Sequence, residues 1–348
     1  MYFQLFADCI PVKGYNRSVI CDLGRNKFNL IPNELTDFIE ELKSKPFNSL
    51  LEDFCDDDKE TILEYIEFLV NNEFGFFSEQ NNNNSFPPLE AIFNWSGLIS
   101  NSIVDVDALS SHNYERIFSE LKEVNCTSVQ IRFFSEQTIQ NVQFILESAL
   151  DRDFECIELV IEFSDELLSF FVNSEKVYPI TSVQFFSCNP DKISDYIQEV
   201  NDSLIAFSFT PLKINNHEHC GLVDPSYFTS NLQLFMEGQK FNTCLNRKVS
   251  ISANGEIKNC PSTTEVYGFI NTTKLIDCID RDDFKRYWTI NKQSISICKD
   301  CEFRFVCTDC RAFIENPSDI YSKPLKCNYD PYSSTWLKTS NFPPFISS

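Results

Sequence analysis

Short apolar runs, and then apolar residues at helical spacing, make up the first part of the chain. The runs Tyr2–Lys13, Arg17–Leu23 and Lys27–Ile31 are separated by turns that contain Gly and Asn, so they predict three strands joined by hairpins. Two amphipathic segments follow, each with one apolar face. These faces consist of Leu35, Phe38, Ile39 and Leu42, and of Ile62, Tyr65, Ile66, Leu69 and Val70. The order predicts a winged-helix-like module over residues 1–79, with Asn33 as the N-cap of its first helix.

The middle of the chain has a regular alternation of buried-strand and amphipathic patterns. A polar and then proline-rich stretch, residues 80–88, predicts a linker before it. Strands that recur about every 25 residues with helices between them pair in parallel, which is typical of βα units. The strand candidates are Ile103–Val106, Val129–Phe134, Ile157–Ile161, Val183–Phe186 and Leu204–Phe209. Residues 89–215 are therefore predicted to form an α/β fold, a partial βα barrel and not a complete eightfold one.

Charge and hydropathy narrow the possible partners. The chain has 29 Lys and Arg against 51 Asp and Glu, a net charge of −22, which disfavours nucleic acid and anionic membrane surfaces. No stretch approaches the roughly 18 apolar residues of a membrane span. The first residues lack the basic start and small-residue cleavage site of a signal peptide. We therefore expect a cytoplasmic protein, with which a neutral or basic peptide partner is compatible, although the charge also fits a role in solubility alone.

Cysteine spacing carries the chemistry of the last third, residues 216–348. The chain has 15 cysteines, and thiols in the cytoplasm stay reduced, so clustered ones predict metal ligation. Two C-x2-C pairs, five residues apart, follow an earlier C-x10-G-x4-C pattern that includes Gly255, and one cysteine comes after them. These residues are Cys244 and Cys260, Cys298 and Cys301, Cys307 and Cys310, and Cys327. Thiolates are soft ligands that suit zinc or iron–sulfur clusters.

The spacing alone leaves the metal open. One tetrahedral zinc held by Cys298, Cys301, Cys307 and Cys310 is the alternative to iron–sulfur clusters. Other chemistry is not indicated, because the three histidines, His112, His217 and His219, complete no nucleophile–His–carboxylate set.

The whole cysteine pattern resembles the SPASM domain of radical-SAM peptide maturases. That resemblance implies two auxiliary 4Fe-4S clusters, although the family usually has three residues within the last pair, where this chain has two. The first implied set of ligands is Cys298, Cys301, Cys307 and Cys327. The second is Cys244, Cys260 and Cys310, with either Cys220 or an open coordination site as the fourth position.

The N-terminal order of strands and helices, with Val12–Ser18 and Phe28–Asn33, resembles the peptide-recognition element of ribosomal-peptide (RiPP) maturation enzymes. In that family a leader peptide adds as a strand to a sheet edge and packs on a helix. The resemblance implies an edge formed by Lys27, Phe28, Asn29, Leu30 and Ile31. The implied groove wall is formed by Ile62, Tyr65, Ile66 and Leu69.

One motif of radical-SAM enzymes is missing. They bind the catalytic cluster through C-x3-C-x2-C after the first strand of the barrel, and the corresponding loop here, Asp107–His112, has no cysteine. We therefore expect a radical-SAM-like barrel that does not cleave S-adenosylmethionine by itself.

The combination resembles the SPASM-domain maturase of grasp-with-spasm systems, in which an ATP-grasp ligase modifies the same precursor peptide. The implied function is to bind the precursor leader and assist that ligase. The alternatives are a redox or peptide-modifying enzyme that uses the auxiliary clusters, and a zinc-stabilised interaction module.

Overall fold

The computed structural model describes residues 1–81, 85–174, 176–337 and 346–347; residues 82–84 of the predicted linker lie outside these ranges. The strands are β1 (Tyr2–Leu5), β2 (Cys9–Lys13), β3 (Ser18–Asp22), β4 (Lys27–Ile31), β5 (Gly75–Ser78), β6 (Asn101–Val106), β7 (Ser128–Phe133), β8 (Cys156–Glu162), β9 (Ile180–Phe186), β10 (Ala206–Phe209), β11 (Lys248–Ile251), β12 (Glu256–Lys258), β13 (Gly268–Phe269), β14 (Tyr329–Asp330), β15 (Thr335–Trp336) and β16 (Ile346–Ser347). The helices are α1 (Asn33–Leu42), α2 (Phe47–Glu52), α3 (Asp56–Asn71), α4 (Tyr114–Glu123), α5 (Ile139–Ala149), α6 (Asp165–Asn173), α7 (Ile193–Val200), α8 (Leu232–Gly238) and α9 (Leu275–Ile279).

The N-terminal module has the predicted order of strands followed by helices. Strands β2, β3 and β4 form an antiparallel sheet with β4 at one edge. The apolar face of α1 packs against it together with Ile62, Ile66 and Leu69 of α3, whereas Val70 is 41% exposed. Two details differ from the sequence prediction. The first run divides into β1 and β2 around a turn in which the Cys9 amide donates to the Phe6 carbonyl at 3.0 Å, and β1 pairs with β5. The short helix α2 was not predicted.

Asn33 does not cap α1 as the sequence suggests. The helix begins at Asn33 itself, after Pro32, and its first turn has no side-chain cap. The Asn33 side chain faces the hairpin instead, where its Oδ1 accepts a hydrogen bond from Ser18 Oγ at 2.6 Å. The prediction of the cap was wrong because this tertiary contact uses the side chain.

A nine-stranded sheet forms the middle of the molecule and confirms the α/β class and the partial barrel. Its order is β13-β12-β11-β6-β7-β8-β9-β10-β16, with β6 to β10 parallel, as the spacing predicts. Strands β11 to β13 come from the cysteine-rich segment, and β11 pairs in parallel with β6. The sheet therefore crosses the boundary that the sequence predicts at residue 215.

The two faces of this sheet differ in polarity because side chains alternate along each strand. Val129, Ile131 and Phe133 of β7 are buried in the apolar core. On the opposite face, Arg132 makes a bidentate ion pair with Asp105 of β6, at 2.7 and 2.8 Å. This polar face is the one that meets the cysteine-rich segment.

The hairpin between β2 and β3 docks on the cysteine-rich segment. Arg17 Nε lies 2.7 Å from Glu302 Oε1, and the Tyr15 amide donates to the Asp300 carbonyl at 2.7 Å. Gly14 permits this approach, since an added Cβ would lie 2.8 Å from the Glu302 nitrogen. Among the described residues, no helix is long and apolar enough to cross a bilayer.

Candidate metal centres

Eight cysteines of the last third fall into two groups in the fold. In each group, neighbouring cysteines add to the effect of burial in raising a thiol pKa: Cys244 and Cys220 act on Cys260 and Cys310, and Cys298 acts on Cys301 and Cys307. The first thiol group comprises Cys220, Cys244, Cys260 and Cys310. The second thiol group comprises Cys298, Cys301, Cys307 and Cys327. The resemblance implies the same division, with Cys220 or an open site completing the first set, and metal ligation by these cysteines stays a prediction.

A hairpin and a tight turn assemble the first group. Strands β11 and β12 pair antiparallel, so Cys244, before β11, and Cys260, after β12, come to the same end of the hairpin. Cys220 precedes Gly221, whose φ of +84° suits glycine, and a Cβ added to Gly221 would lie 3.0 Å from Cys310 Sγ. The turn therefore brings the backbone beside Cys220 against the Cys310 sulfur.

Burial makes these thiols hard to ionise. It raises the pKa of Cys260 to about 12, and the neighbouring Cys244 and Cys220 raise that pKa further. Burial also raises the pKa of Cys310 to about 11, with added effects of Cys244 and Cys220. A bound metal favours the thiolate and so overcomes this penalty.

The second group is built from loops. A single helical turn over Cys298–Asp300 lets the Cys301 amide donate to the Cys298 carbonyl at 3.0 Å. The backbone of Cys327 makes an isolated parallel β-bridge with that of Val223, and Val223 lies three residues after Cys220 in sequence. Burial raises the pKa of Cys307 to about 12; the charge of Lys292 opposes this shift, while Cys327 and Cys298 add to it.

One lysine points at a sulfur of each group. Lys248 Nζ lies 3.7 Å from Cys244 Sγ, and Lys292 Nζ lies 3.6 Å from Cys307 Sγ. Lys292 is 5% exposed and also lies 3.9 Å from a buried Asp309. Sequence reasoning missed both lysines, because no spacing rule connects a lysine to a cysteine group.

A cavity of about 610 Å³ separates the polar face of the barrel from the first group. Arg132 and Gln130 of β7 and Gln184 of β9 line it on the barrel side. All four cysteines of the first group line the other side, and Cys220 is the exposed one among them. The cavity gives this group access to space inside the barrel.

No three His, Cys, Asp or Glu side chains could hold a metal ion together in the part of the chain that the structure describes. That finding concerns a single ion, because the ligands of a four-iron cluster stand farther apart than those of one zinc. The zinc set predicted as an alternative includes Cys310, which instead lies beside Cys244 and Cys220. The chain turns between Cys307 and Cys310, where Asp309 and Arg311 are buried and 3.0 Å apart.

The histidines and the loop after β6 have structural contacts. His112 Nε2 is 2.8 Å from the Asp105 carbonyl, and Ser110 of the same loop donates to the Ala253 carbonyl at 2.9 Å. His217 Nδ1 is 3.1 Å from Ser262 Oγ. His219 lines the cavity, and its pKa is lowered by burial and by Lys326.

The predicted peptide edge lies on β4. Among the described strands only β3 pairs with it, and Lys27 and Leu30 are exposed while Ile31 is buried. Phe28 turns toward the cysteine-rich segment, with its ring 5.9 Å from that of Phe303. Asn29 is half-buried.

The predicted groove wall on α3 is mostly used by the core of the module. Ile62, Ile66 and Leu69 are buried there, so little of their surface is left for a ligand. Tyr65 is half-buried, and burial together with the nearby Glu34 raises its pKa. The effect of Glu34 shows that Tyr65 lies near the start of α1. Because α1 begins two residues after β4 ends, Tyr65 is also near the end of the β4 edge.

Comparisons with known proteins give no family. The sequence matches no profile of a known protein family, and no curated protein matches it. Among solved structures, one similar chain is native anSMEcpe with bound AdoMet and Cp18Cys peptide. It has 8% sequence identity and a TM-score of 0.41, over 68% of this chain and 95% of the other. A similarity this low identifies neither the activity nor the ligands of the present chain.

Proposed function

We propose that this protein is a component of ribosomal-peptide maturation that binds a precursor leader, holds two 4Fe-4S clusters and assists an ATP-grasp ligase. The observation that carries the proposal is the gathering of eight cysteines into two groups of four. The SPASM-like spacing and the recognition-like order of the N-terminal elements support the same conclusion.

The residues present fit iron–sulfur clusters. Each group supplies four soft sulfur donors, and each has a buried or half-buried ammonium directed at one sulfur, which suits a negatively charged centre. The first group would hold one cluster and the second group the other. When bound, the clusters supply redox-active iron and tie together loops that have few other regular contacts.

Metal analysis of the full chain tests this part. After anaerobic purification we expect about eight iron atoms and a similar amount of sulfide per chain, with broad visible absorption. Cys260→Ser should lower the iron content of the first group alone, and Cys298→Ser should lower the iron content of the second group alone. The matched control is Cys126→Ser, a buried cysteine of the barrel core that belongs to neither group. One or two zinc ions without visible absorption would contradict the proposal.

The edge of β4 supports the leader-binding role. An unpaired edge offers backbone donors and acceptors to an incoming strand, and Leu30 is 47% exposed on it. Tyr65 of α3 offers a half-buried ring near the end of the edge. The acidic chain, with a net charge of −22, suits a neutral or basic leader.

Binding of a fluorescent peptide tests that role. The test first requires that a short precursor gene and an ATP-grasp ligase gene are found beside this one, and the probe is then the leader region of that precursor. Leu30→Glu should weaken binding at least tenfold, because it places a charge on the strand that the peptide joins. Leu98→Glu is the control, since Leu98 is similarly exposed, at 44%, and precedes β6. Equal affinities of the two variants would refute the β4 site.

The loop after β6 bears on the assisting role. It contains no cysteine, so this chain has no ligand set for the cluster that cleaves S-adenosylmethionine. We expect no 5′-deoxyadenosine from the reduced, cluster-loaded protein. The ATP chemistry would belong to the ligase, and peptide modification should require both proteins together.

A second candidate is a redox or peptide-modifying enzyme that uses the first group. It is favoured by the cavity of about 610 Å³ beside that group and by the exposure of Cys220. In that case the peptide should change the electron paramagnetic resonance (EPR) spectrum of one reduced cluster. An unchanged spectrum at saturating peptide would argue against this enzyme and in favour of the binding role.

A further inference from the structure

Lys248 has one described partner, and that partner is a sulfur. Lys248 is the first residue of β11, and the next residue, Val249, points into the apolar core. Because successive side chains of a strand point to opposite faces, Lys248 lies on the polar face of the sheet. Its Nζ is 3.7 Å from Cys244 Sγ, and no carboxylate of the described residues lies within 4.0 Å of it. An ammonium withdrawn from water costs several kcal/mol unless it faces negative charge. A neutral thiol does not supply that charge, and the nearby carboxyl group of Glu237, whose charged form Lys248 favours, makes no ion pair with it within 4.0 Å.

Lys292 has a similar environment beside the second group. Its Nζ is 3.6 Å from Cys307 Sγ and 3.9 Å from Asp309. Asp309 also faces Arg311 at 3.0 Å, so one buried carboxylate serves two buried cations. Positive charge therefore exceeds negative charge around Cys307 by one unit while the thiols are neutral.

We propose that Lys248 and Lys292 are the counter-charges of two separate centres, each donating a hydrogen bond to one ligand sulfur and raising the reduction potential of its own cluster. The inference rests on the proposed iron–sulfur function. Its physical basis is that hydrogen bonds to ligand sulfurs and nearby positive charge favour the more reduced, more negative state of a cluster. Lys248 acts on the first thiol group and Lys292 on the second.

Replacing each lysine with methionine tests the proposal in the full, cluster-loaded chain. Methionine keeps most of the length of the side chain and removes its charge. The readouts are iron and sulfide content, and a redox titration followed by the EPR signals of the reduced clusters. Cys260→Ser and Cys298→Ser assign each signal to a group.

We expect Lys248→Met to move the first-group signal to a more negative potential, or to lose iron from that group only. Lys292→Met should do the same to the second group only. Lys248→Arg keeps the charge, so the reduction potential of the first group should stay close to that of the wild type. Lys258→Met is the matched control, because Lys258 lies on the adjacent β12 and donates to the Thr263 carbonyl at 3.1 Å instead of to a sulfur.

Two results would overturn the inference while leaving the proposed function intact: unchanged potentials with full iron in both variants, or equal effects of each variant on both groups. Should Lys292→Met fail to fold, Lys292→Met with Asp309→Asn removes a positive and a negative charge together and permits the same titration. Wild-type protein without iron would instead refute the proposed function itself.

Discussion

At the scale of single residues, Glu237 is a carboxyl group that the fold keeps from water. It lies on α8, and burial raises its pKa from 4.5 to about 7. Asn246 Nδ2 donates to its Oε1 at 2.8 Å, and Lys248 and Arg247 also favour the charged form, but these effects offset only part of the burial. The folded protein therefore holds this proton more tightly than the unfolded chain does.

Stability should depend on pH through this group. Between pH 4.5 and about 7 the folded state binds more protons at Glu237, so its contribution is complete below pH 4.5 and is lost as pH rises through about 7. The loss is about 1 to 3 kcal/mol, from roughly 1.4 kcal/mol per pKa unit reduced for partial exposure. Glu237→Gln should remove it, measured as the difference in melting temperature from wild type between pH 5 and pH 8.

Glu64→Gln serves as the control for that experiment, because Glu64 is exposed on α3. It should follow the wild-type curve at every pH. A Glu237→Gln curve parallel to wild type would mean that the carboxyl group is hydrated in solution.

Residue identity predicted the site unevenly. Cysteine spacing alone predicts that Cys298 lies beside Cys301, but it also predicts that Cys307 lies beside Cys310, and these two belong to different groups in the fold, so the full division comes from the resemblance. Spacing could not predict Lys248 or Lys292, because their approach to sulfur depends on where β11 and the loop at residue 292 lie in the fold. The resemblance assigned Ile62, Ile66 and Leu69 to the wall of a peptide groove, whereas the core of the module buries them, as their helical periodicity alone predicts.

At the scale of elements, the β2–β3 hairpin links the N-terminal module to the loop that carries Cys301. The Arg17 guanidinium bonds Glu302 at 2.7 Å and the Tyr329 hydroxyl at 3.0 Å, and the Glu302 side chain is fully buried. Glu302 follows Cys301 directly. The N-terminal module and the segment that carries the second thiol group are therefore in direct contact.

Arg17→Met should weaken this contact strongly. It leaves the Glu302 carboxylate buried without its cation, which costs about 3 to 5 kcal/mol in comparable pairs. We expect a lower urea midpoint and faster proteolysis at the hairpin. Lys13→Met is the control from the neighbouring strand, since its pair with Asp37 is exposed and such pairs contribute about 0 to 1 kcal/mol. Equal losses in both variants would contradict the buried linkage.

Periodicity predicted the long elements and missed the short ones. The five barrel strands recur about every 25 residues with helical patterns between them, so even β10, with four residues, could be recognised. Strand β11 has four residues, Lys248–Ile251, inside a segment dominated by cysteines, and its pairing with β6 depends on contacts distant in sequence. Helix α2, with six residues, is too short for a helical period to be recognised.

At the scale of the whole molecule, the barrel is built from two separate parts of the chain. Strand β11 covers the edge of β6, and β12 and β13 extend the sheet from there. A fragment of residues 89–215 would leave that edge bare. We expect it to aggregate or to unfold without cooperativity, whereas residues 89–348 should show one cooperative transition by circular dichroism. A monomeric, cooperatively folding 89–215 fragment would contradict this prediction.

The place of β11 in the sheet also sets an order of events during synthesis. The ribosome makes β6 some 145 residues before β11 emerges, so the edge of β6 stays unpaired during that interval. Chaperones can reach the unpaired edge throughout that interval, and six of the eight cysteines in the two thiol groups emerge only after β11 has covered it.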